Sequence, residues 1–263
     1  MAEEGSYLEE LFGVRGKRVV VTGGVRGIGR AIAHGFVAAG ADVIVSSRNA
    51  EDCATAAVEL GKVGQCRAVP AELSTVEGCR SFAGEVGEFM GGVDVLVNNA
   101  GAQHEAPLGE FPESGWDSVF DINVKAPFFL VQAMLPLLEA AAARSGPARV
   151  ISVGSINALH VASSQTYAYS ASKAAVHHLS RHLAQRLAPS ITVNVLAPGI
   201  FPTGIRRNGV EQPRDPGVLA TVPLNRFLSP SDVAGTALFL ASAAGAYLTG
   251  AVLPVDGGAA TTV

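Results

Sequence analysis

The chain has little cysteine, little charge and no basic surplus, and each shortage removes a class of protein. Cys53, Cys66 and Cys79 are the three cysteines in 263 residues; no two stand as Cys-x-x-Cys, and an odd set does not suggest a disulfide framework. A reducing cytoplasm is the expected location. Net charge is −4, and the nearest thing to a basic cluster is the pair Arg206 and Arg207, so no nucleic-acid partner is expected. No stretch reaches the ~18 uninterrupted apolar residues of a membrane span. The opening Met1-Ala2-Glu3-Glu4 is acidic and lacks the apolar segment of a signal peptide or anchor, so no membrane partner is expected either. His178 and His182 stand at i, i+4, a spacing that can hold zinc, but no Glu lies between them and no third ligand is evident. No metal is expected.

What is present is apolar and rich in small residues: 48% apolar side chains and 30 glycines. That is ample for one packed α/β domain. From Lys17 onward, short β-branched runs alternate with longer helical patterns, the signature of a parallel sheet covered on both faces. The strands fall at Arg18–Thr22, Asp42–Ser46, Cys66–Val69, Val93–Asn98, Arg149–Val153, Thr192–Ala197 and Val252–Val255. A first helix runs from about Gly27 to Ala39 and stops at Gly40; Asn49 caps a second, and Ser74-Thr75-Val76-Glu77 reads as a capping box opening a third. A long helical region covers Ser114 to Arg144, bent or broken near Pro127 and Pro136, and the next helix holds Tyr169 and ends near Leu187. The expected architecture is a single-domain, Rossmann-type, doubly wound parallel sheet of about seven strands with helices on both faces. Residues 1–16 form an N-terminal arm, and 17–263 form a dinucleotide-binding catalytic domain with a substrate lid at about 199–230.

The first strand runs into Thr22-Gly23-Gly24-Val25-Arg26-Gly27-Ile28-Gly29, a glycine turn that opens a helix and lets backbone amides approach a pyrophosphate. An NAD-binding protein often ends its second strand on an acid that holds the adenine ribose. Here that place reads Ser46-Ser47-Arg48, and the guanidinium of Arg48, with Arg26 as a second candidate, suits a 2′-phosphate. NADPH/NADP+ is therefore the expected cofactor, against the alternative of exposed, solvating arginines.

Tyr169 and Lys173 share one face of a helix. A free phenol titrates near pH ~10, so a donor working near neutrality needs about 4 kcal/mol of anion stabilisation. One cation about 5 Å away at an effective dielectric of ~20 supplies roughly 3 kcal/mol. By itself such a pair arises by chance in about one chain in seventeen of this composition. Tyr167 is the internal control: Ala171 stands four residues on, so Tyr167 has no cation partner and is expected to pack or line the cleft.

Together these features resemble the short-chain dehydrogenase/reductase family from about Lys17 to Gly258. The family's glycine motif corresponds to Thr22 through Gly29, and its strand-end motif to Asn98-Asn99-Ala100-Gly101. The motif asparagine falls on Asn123, the serine on Ser155, and Tyr169 with Lys173 complete the tetrad. Pro198-Gly199, with Ile200 and Thr203 following, matches the segment that fixes the nicotinamide, and Asp256-Gly257-Gly258 matches the terminal signature. The resemblance implies catalysis by Asn123, Ser155, Tyr169 and Lys173: Ser155 binds the carbonyl oxygen, Tyr169 is the general acid, Lys173 lowers its pKa and holds the nicotinamide ribose, and Asn123 anchors a water chain. Ordinary packing is the alternative for Ser155 or Asn123 singly. It implies cofactor contacts at Gly23, Arg26, Gly27, Ile28, Gly29, Ser47, Arg48, Asn49, Glu72, Leu73, Asn99, Ala100, Gly101, Tyr169, Lys173, Pro198, Gly199, Ile200 and Thr203. Two departures stand out. The acid after the third strand, usually aspartate, is Glu72, and the stretch before Tyr169 carries His160, either a substrate contact or a loop histidine bonded to backbone.

Within the family, 66–74, 149–155 and 197–202 are similar to ketoacyl reductases of the rhamnolipid-associated type. That implies reduction of 3-oxoacyl thioesters to 3-hydroxyacyl products, with Arg206 and Arg207 either meeting a carrier's phosphopantetheine or solvated. The alternatives are an alcohol, sugar or steroid dehydrogenase on the same tetrad, or a non-catalytic NADP(H)-binding regulatory or scaffold protein. The family is commonly dimeric or tetrameric, which makes a homodimer or homotetramer through the Ala-rich helices around Ala140–Ala143 and Ala171–Leu187 the expected assembly.

Overall fold

A computed structural model of the chain describes residues 4–202 and 216–262. The strands are β1 (Arg18–Thr22), β2 (Asp42–Ser47), β3 (Cys66–Pro70), β4 (Val95–Asn98), β5 (Ala148–Val153), β6 (Ile191–Pro198) and β7 (Val252–Val255). The helices are α1 (Glu4–Phe12), α2 (Gly27–Ala38), α3 (Ala50–Gly61), α4 (Val76–Met90), α5 (Glu113–Phe120), α6 (Ala126–Ser145), α7 (Tyr167–Leu187) and α8 (Pro230–Ala241). All seven strands are parallel, in the order β3-β2-β1-β4-β5-β6-β7. The chain winds outward from β1 to β3, returns to β4 beside β1, and winds outward again to β7. The reversal between β1 and β4 parts the loops at their carboxyl ends, which is where open α/β sheets bind ligands.

Successive strand residues face opposite sides, and here both sides are dry. Val19, Val21, Val43, Val45, Val95 and Val97 pack with Ile32 and Phe36 of α2 and Val233, Ala237 and Leu240 of α8. Their neighbours Val20, Ile44, Leu96, Val150 and Val193 pack with Phe82 and Val86 of α4 and Leu130, Met134 and Leu138 of α6. Each large side chain wholly removed from water contributes roughly 1.5–3 kcal/mol. The run Glu113–Ser145 is apolar and long enough by composition to cross a membrane, but its Leu130, Met134 and Leu138 are spent on the sheet.

Beneath the sheet, at the strands' amino ends, Asp94 is buried among cations. It accepts from the Arg18 N–H (2.8 Å), from Arg144 at both oxygens (2.8 and 2.9 Å) and from the Ser145 hydroxyl (2.8 Å). Burial pushes its carboxyl upward, but the bonds from Arg18 and Ser145 and the charges of Arg144 and Arg18 outweigh it and hold the pKa below the usual range.

Two expectations need correction. The capping box does not form: Thr75, not Ser74, caps α4, accepting from the Gly78 N–H, which puts glycine where the box needs Glu77. The Glu72 carbonyl crowds Gly78 so closely that a Cβ there would overlap it. The box in this fold is at α8, where Ser229 and Asp232 cap each other's backbone. The N-terminal segment, expected as an arm, carries α1. The break expected near Pro127 is a π-helical turn over Asp121–Lys125 that joins α5 to α6, with Pro127 in the first turn of α6 and Pro136 inside it.

Candidate active site

The cofactor side is one bonded unit rather than two motifs. Thr22 Oγ1, at the end of β1, accepts from the N–H groups of Asn99 and Ala100, each at 3.0 Å. Asn99 returns the grip, its Nδ2 donating to the carbonyls of Thr22 (2.8 Å) and Gly23 (3.1 Å). Gly29 makes room for this clasp, since a Cβ there would overlap Asn99 Nδ2 and the Gly23 carbonyl. Gly27 has φ +55, and a Cβ there would meet nothing within 4 Å. Arg26 occupies the N-cap of α2 without a side-chain cap, and no acid stands in the first turn. Open space, an uncapped helix start and absent carboxylates are what a pyrophosphate requires.

At the end of β2, Arg48 is three-quarters exposed and 3.9 Å from Glu72, whose other oxygen accepts from the Ser74 N–H (3.1 Å). No aspartate stands there, so the residues fit a cofactor carrying a 2′-phosphate. Asn49 spends its side chain on α3, accepting from Glu51 (2.8 Å) and Asp52 (3.2 Å), while its own N–H donates to Ser47 Oγ. Leu73 is buried in the core beneath β3, and Ile28 packs on the opposite core. Gly199 lies against Asp256 so tightly that a Cβ would collide with it, and the Ile200 carbonyl accepts from the Leu228 N–H (2.9 Å). Thr203, Arg206 and Arg207 lie outside the described residues.

Helix α7 gathers the remaining candidates. Tyr169 and Lys173 are buried one turn apart, with Lys173 Nζ 5.6 Å from the Tyr169 ring centroid. Nζ donates to the Val153 carbonyl at 2.7 Å, which ties α7 to the end of β5 two residues before Ser155. Burial pushes the Lys173 ammonium down to about 8. Ser155 Oγ accepts from the Asn157 N–H (3.1 Å), which leaves its own O–H to donate. Asn123, in the π-helical turn, accepts from the Ala102 N–H (2.8 Å) and donates to the Ala102 carbonyl (3.0 Å) and to Ser172 Oγ on α7 (2.9 Å). Gly101 lies against its Oδ1. All four residues of the tetrad are buried.

Around the Tyr169 end of α7 the walls are aromatic. Phe111 and Phe120 pack on the cluster containing Tyr169, Tyr167 and Trp116 meet Phe111 edge-on, and Trp116 stacks on Phe120. His160 bonds the neighbouring Val161 carbonyl (3.1 Å) through Nδ1. His178 and His182 pack against each other, and no group of three metal-ligating side chains occurs among the described residues. A cavity of ≈ 250 Å³ lies between Ile200, Val222, Leu224, Leu228 and Gly257, but Ser155, Tyr169 and Lys173 do not line it. The sequence reading missed Ser172 and His177. A Tyr-x-x-x-Lys-x-x-x-His stripe was the signal available for the second.

The chain is similar to known proteins over most of its length. The family model described as enoyl-(acyl carrier protein) reductase matches residues 23–260. A rhamnolipid-biosynthesis 3-oxoacyl-[acyl-carrier-protein] reductase of Pseudomonas aeruginosa is 45% identical over 94% of this chain and 97% of its own. The structure of a Pseudomonas aeruginosa RhlG/NADP active-site complex superposes with a TM-score of 0.87 at 43% identity, covering 95% of this chain and 98% of that one. A gluconate 5-dehydrogenase from Burkholderia cenocepacia J2315, solved with NADP and tartrate, reaches a TM-score of 0.86 at 31% identity, covering 97% and 99%.

Proposed function

The chain belongs to the short-chain dehydrogenase/reductase family and is an NADP(H)-dependent oxidoreductase acting on hydroxyl and keto groups; from that premise we propose that it reduces 3-oxoacyl thioesters to 3-hydroxyacyl thioesters. When bound, NADPH supplies the hydride. The backbone from Gly23 to Gly29 and the start of α2 would hold its pyrophosphate, Arg48 its 2′-phosphate, and Lys173 the nicotinamide ribose. Ser155 donates its free O–H to the substrate carbonyl oxygen. Tyr169 gives that oxygen a proton as the carbon is reduced, and the positive charge of Lys173 eases development of the phenolate. Asn123 holds the loop at Ala102 against Ser172 of α7, which fixes one wall of the site.

The observation that carries the substrate class is the wall of the cleft. Phe111, Trp116 and Tyr167 form an edge-to-face group beside Tyr169, and Trp116 and Tyr167 leave part of their apolar surface exposed. An acyl chain recovers ~25 cal/mol per Å² by covering such surface, whereas a polyol loses hydrogen bonds there. With NADPH, kcat/KM should rise as the 3-oxoacyl chain lengthens, by up to about fourfold per methylene. A flat chain-length profile, or faster turnover of a keto-gluconate than of any thioester, would replace this reading with the sugar-dehydrogenase one. We also infer self-association through α6 and α7; on α6, Phe128 is exposed in the first turn and the alanines 140–143 lie near the other end. A monomer in sedimentation equilibrium at tens of micromolar would reject it.

A further inference from the structure

We infer that His177 is a positioning residue for the reduction, holding the Ser155 backbone so that the serine hydroxyl meets the substrate oxygen; the inference rests on the role given to Ser155 above. Helix α7 carries three buried polar side chains at four-residue spacing, Tyr169, Lys173 and His177, and therefore on one face. Two of them grip the end of β5. Lys173 Nζ donates to the Val153 carbonyl at 2.7 Å, and His177 Nε2 accepts from the Ser155 N–H at 3.4 Å. Gly154, between those two points, is the complement of the ring: a Cβ there would overlap His177 Nε2 and crowd Val195. Its own N–H donates to the Leu196 carbonyl (2.8 Å), so the sheet holds Gly154 while α7 holds Ser155.

A backbone amide can only donate, so Nε2 must carry the lone pair and the ring proton sits on Nδ1. Burial, then the charges of Lys173 and Arg181, push the imidazole down to about 4, which keeps it neutral and accepting near neutrality. Ser155 is thus fixed twice: its N–H by His177 and its Oγ by the Asn157 N–H. Because Tyr169 stands on the same helix two turns earlier, one rigid element sets the serine hydroxyl relative to the group that delivers the proton. Small displacements of such a donor weaken a transition state far more than they weaken binding.

The test is steady-state kinetics with NADPH and its 4-deuterated form on Ser155→Ala, His177→Leu and His177→Gln, the last keeping an acceptor at similar reach. Expected for His177→Leu is a fall in kcat of about 10- to 100-fold. The KM for NADPH should change less than about twofold and the deuterium isotope effect should rise as chemistry becomes limiting. His177→Gln should regain most of the rate with the wild-type isotope effect. If His177→Leu does not fold, His177→Asn, polar but too short to reach, takes its place. Loss of kcat equal in the Leu and Gln variants, loss confined to KM, or wild-type turnover in His177→Leu beside a collapsed Ser155→Ala, would overturn the inference alone. Unchanged turnover in Ser155→Ala would instead overturn the role of Ser155 on which it rests.

Discussion

Replacing Lys173 by methionine should weaken catalysis and alter the pH dependence of stability, and the structure sets both sizes. With Nζ 5.6 Å from the Tyr169 ring centroid, a unit charge at an effective dielectric of ~20 is worth roughly 3 kcal/mol to a full phenolate. A transition state carrying half that charge loses about 1.5 kcal/mol, so kcat should fall at least about tenfold, with the KM for NADPH rising as the ribose contact goes. Stability responds to the other side of the ammonium. Burial lowers Lys173 from 10.5 to about 8, so at pH 7 the folded state bears about 3 kcal/mol for keeping it charged.

Methionine removes that cost but leaves the Val153 carbonyl without a donor, worth about 1–3 kcal/mol, so the two nearly offset at neutral pH. The pH dependence separates them. Between the folded and unfolded values the unfolded chain binds more protons, so wild-type stability relative to Lys173→Met should rise with pH, by about 2 kcal/mol from pH 7 to pH 9.5. Urea unfolding of both proteins without cofactor at a series of pH values measures this. Parallel stability curves would refute the buried-ammonium argument, and an undiminished kcat would refute its catalytic half.

Tyr169→Phe should lower kcat about 10²- to 10⁴-fold while unfolding close to wild type, because the buried ring keeps its packing against Val119 and Ala168; unchanged turnover defeats the general-acid assignment. Arg48→Ala should raise the KM for NADPH about 10- to 100-fold and leave NADH nearly untouched, as a lost charge-assisted contact to a 2′-phosphate would. Glu72→Gln should move the NADPH value the other way by removing a carboxylate 3.9 Å from Arg48. Asp94→Asn should destabilise by about 3 kcal/mol, the lower end for a broken buried pair since Arg144 is half exposed. Its folded-state carboxyl lies below its unfolded value, so the wild-type advantage should be full above about pH 4 and fade as pH falls further, as acid unfolding would record.

Much of the fold could be read because short, continuous β-branched runs bounded by turns leave few alternatives to a strand buried on both faces, and all seven were found within a residue or two of their ends. The placement of the candidate residues was legible in part, because Tyr169 and Lys173 share a helix face and Ser155 follows a strand. The clasp between Thr22 and Asn99 was not. It joins residues 77 apart by pairing the Thr22 hydroxyl and the Asn99 amide each with the other's backbone, a partnership that no local spacing encodes. The α4 cap was misplaced because Ser74 and Thr75 are equally good caps by type. What decides between them is the Glu72 carbonyl, which reserves the third helical position for glycine.

Asn123 shows most plainly why the remainder lies beyond the sequence. Proline has no N–H, so in a continuous α-helix Pro127 would leave the carbonyl four residues earlier, that of Asn123, without its bond and would clash with it. The chain instead widens by one residue before the proline: the Ala126 N–H reaches back five places to the Asp121 carbonyl, and α6 begins afresh with Pro127 in its first turn. A π-helical turn rotates the residues it contains off the regular helical face. Here it carries Asn123, with the amide meeting Ala102 on one side and Ser172 on the other. The proline that marks a break in the sequence is thus the physical reason the asparagine can leave the helix's packed face and reach both the loop after β4 and helix α7.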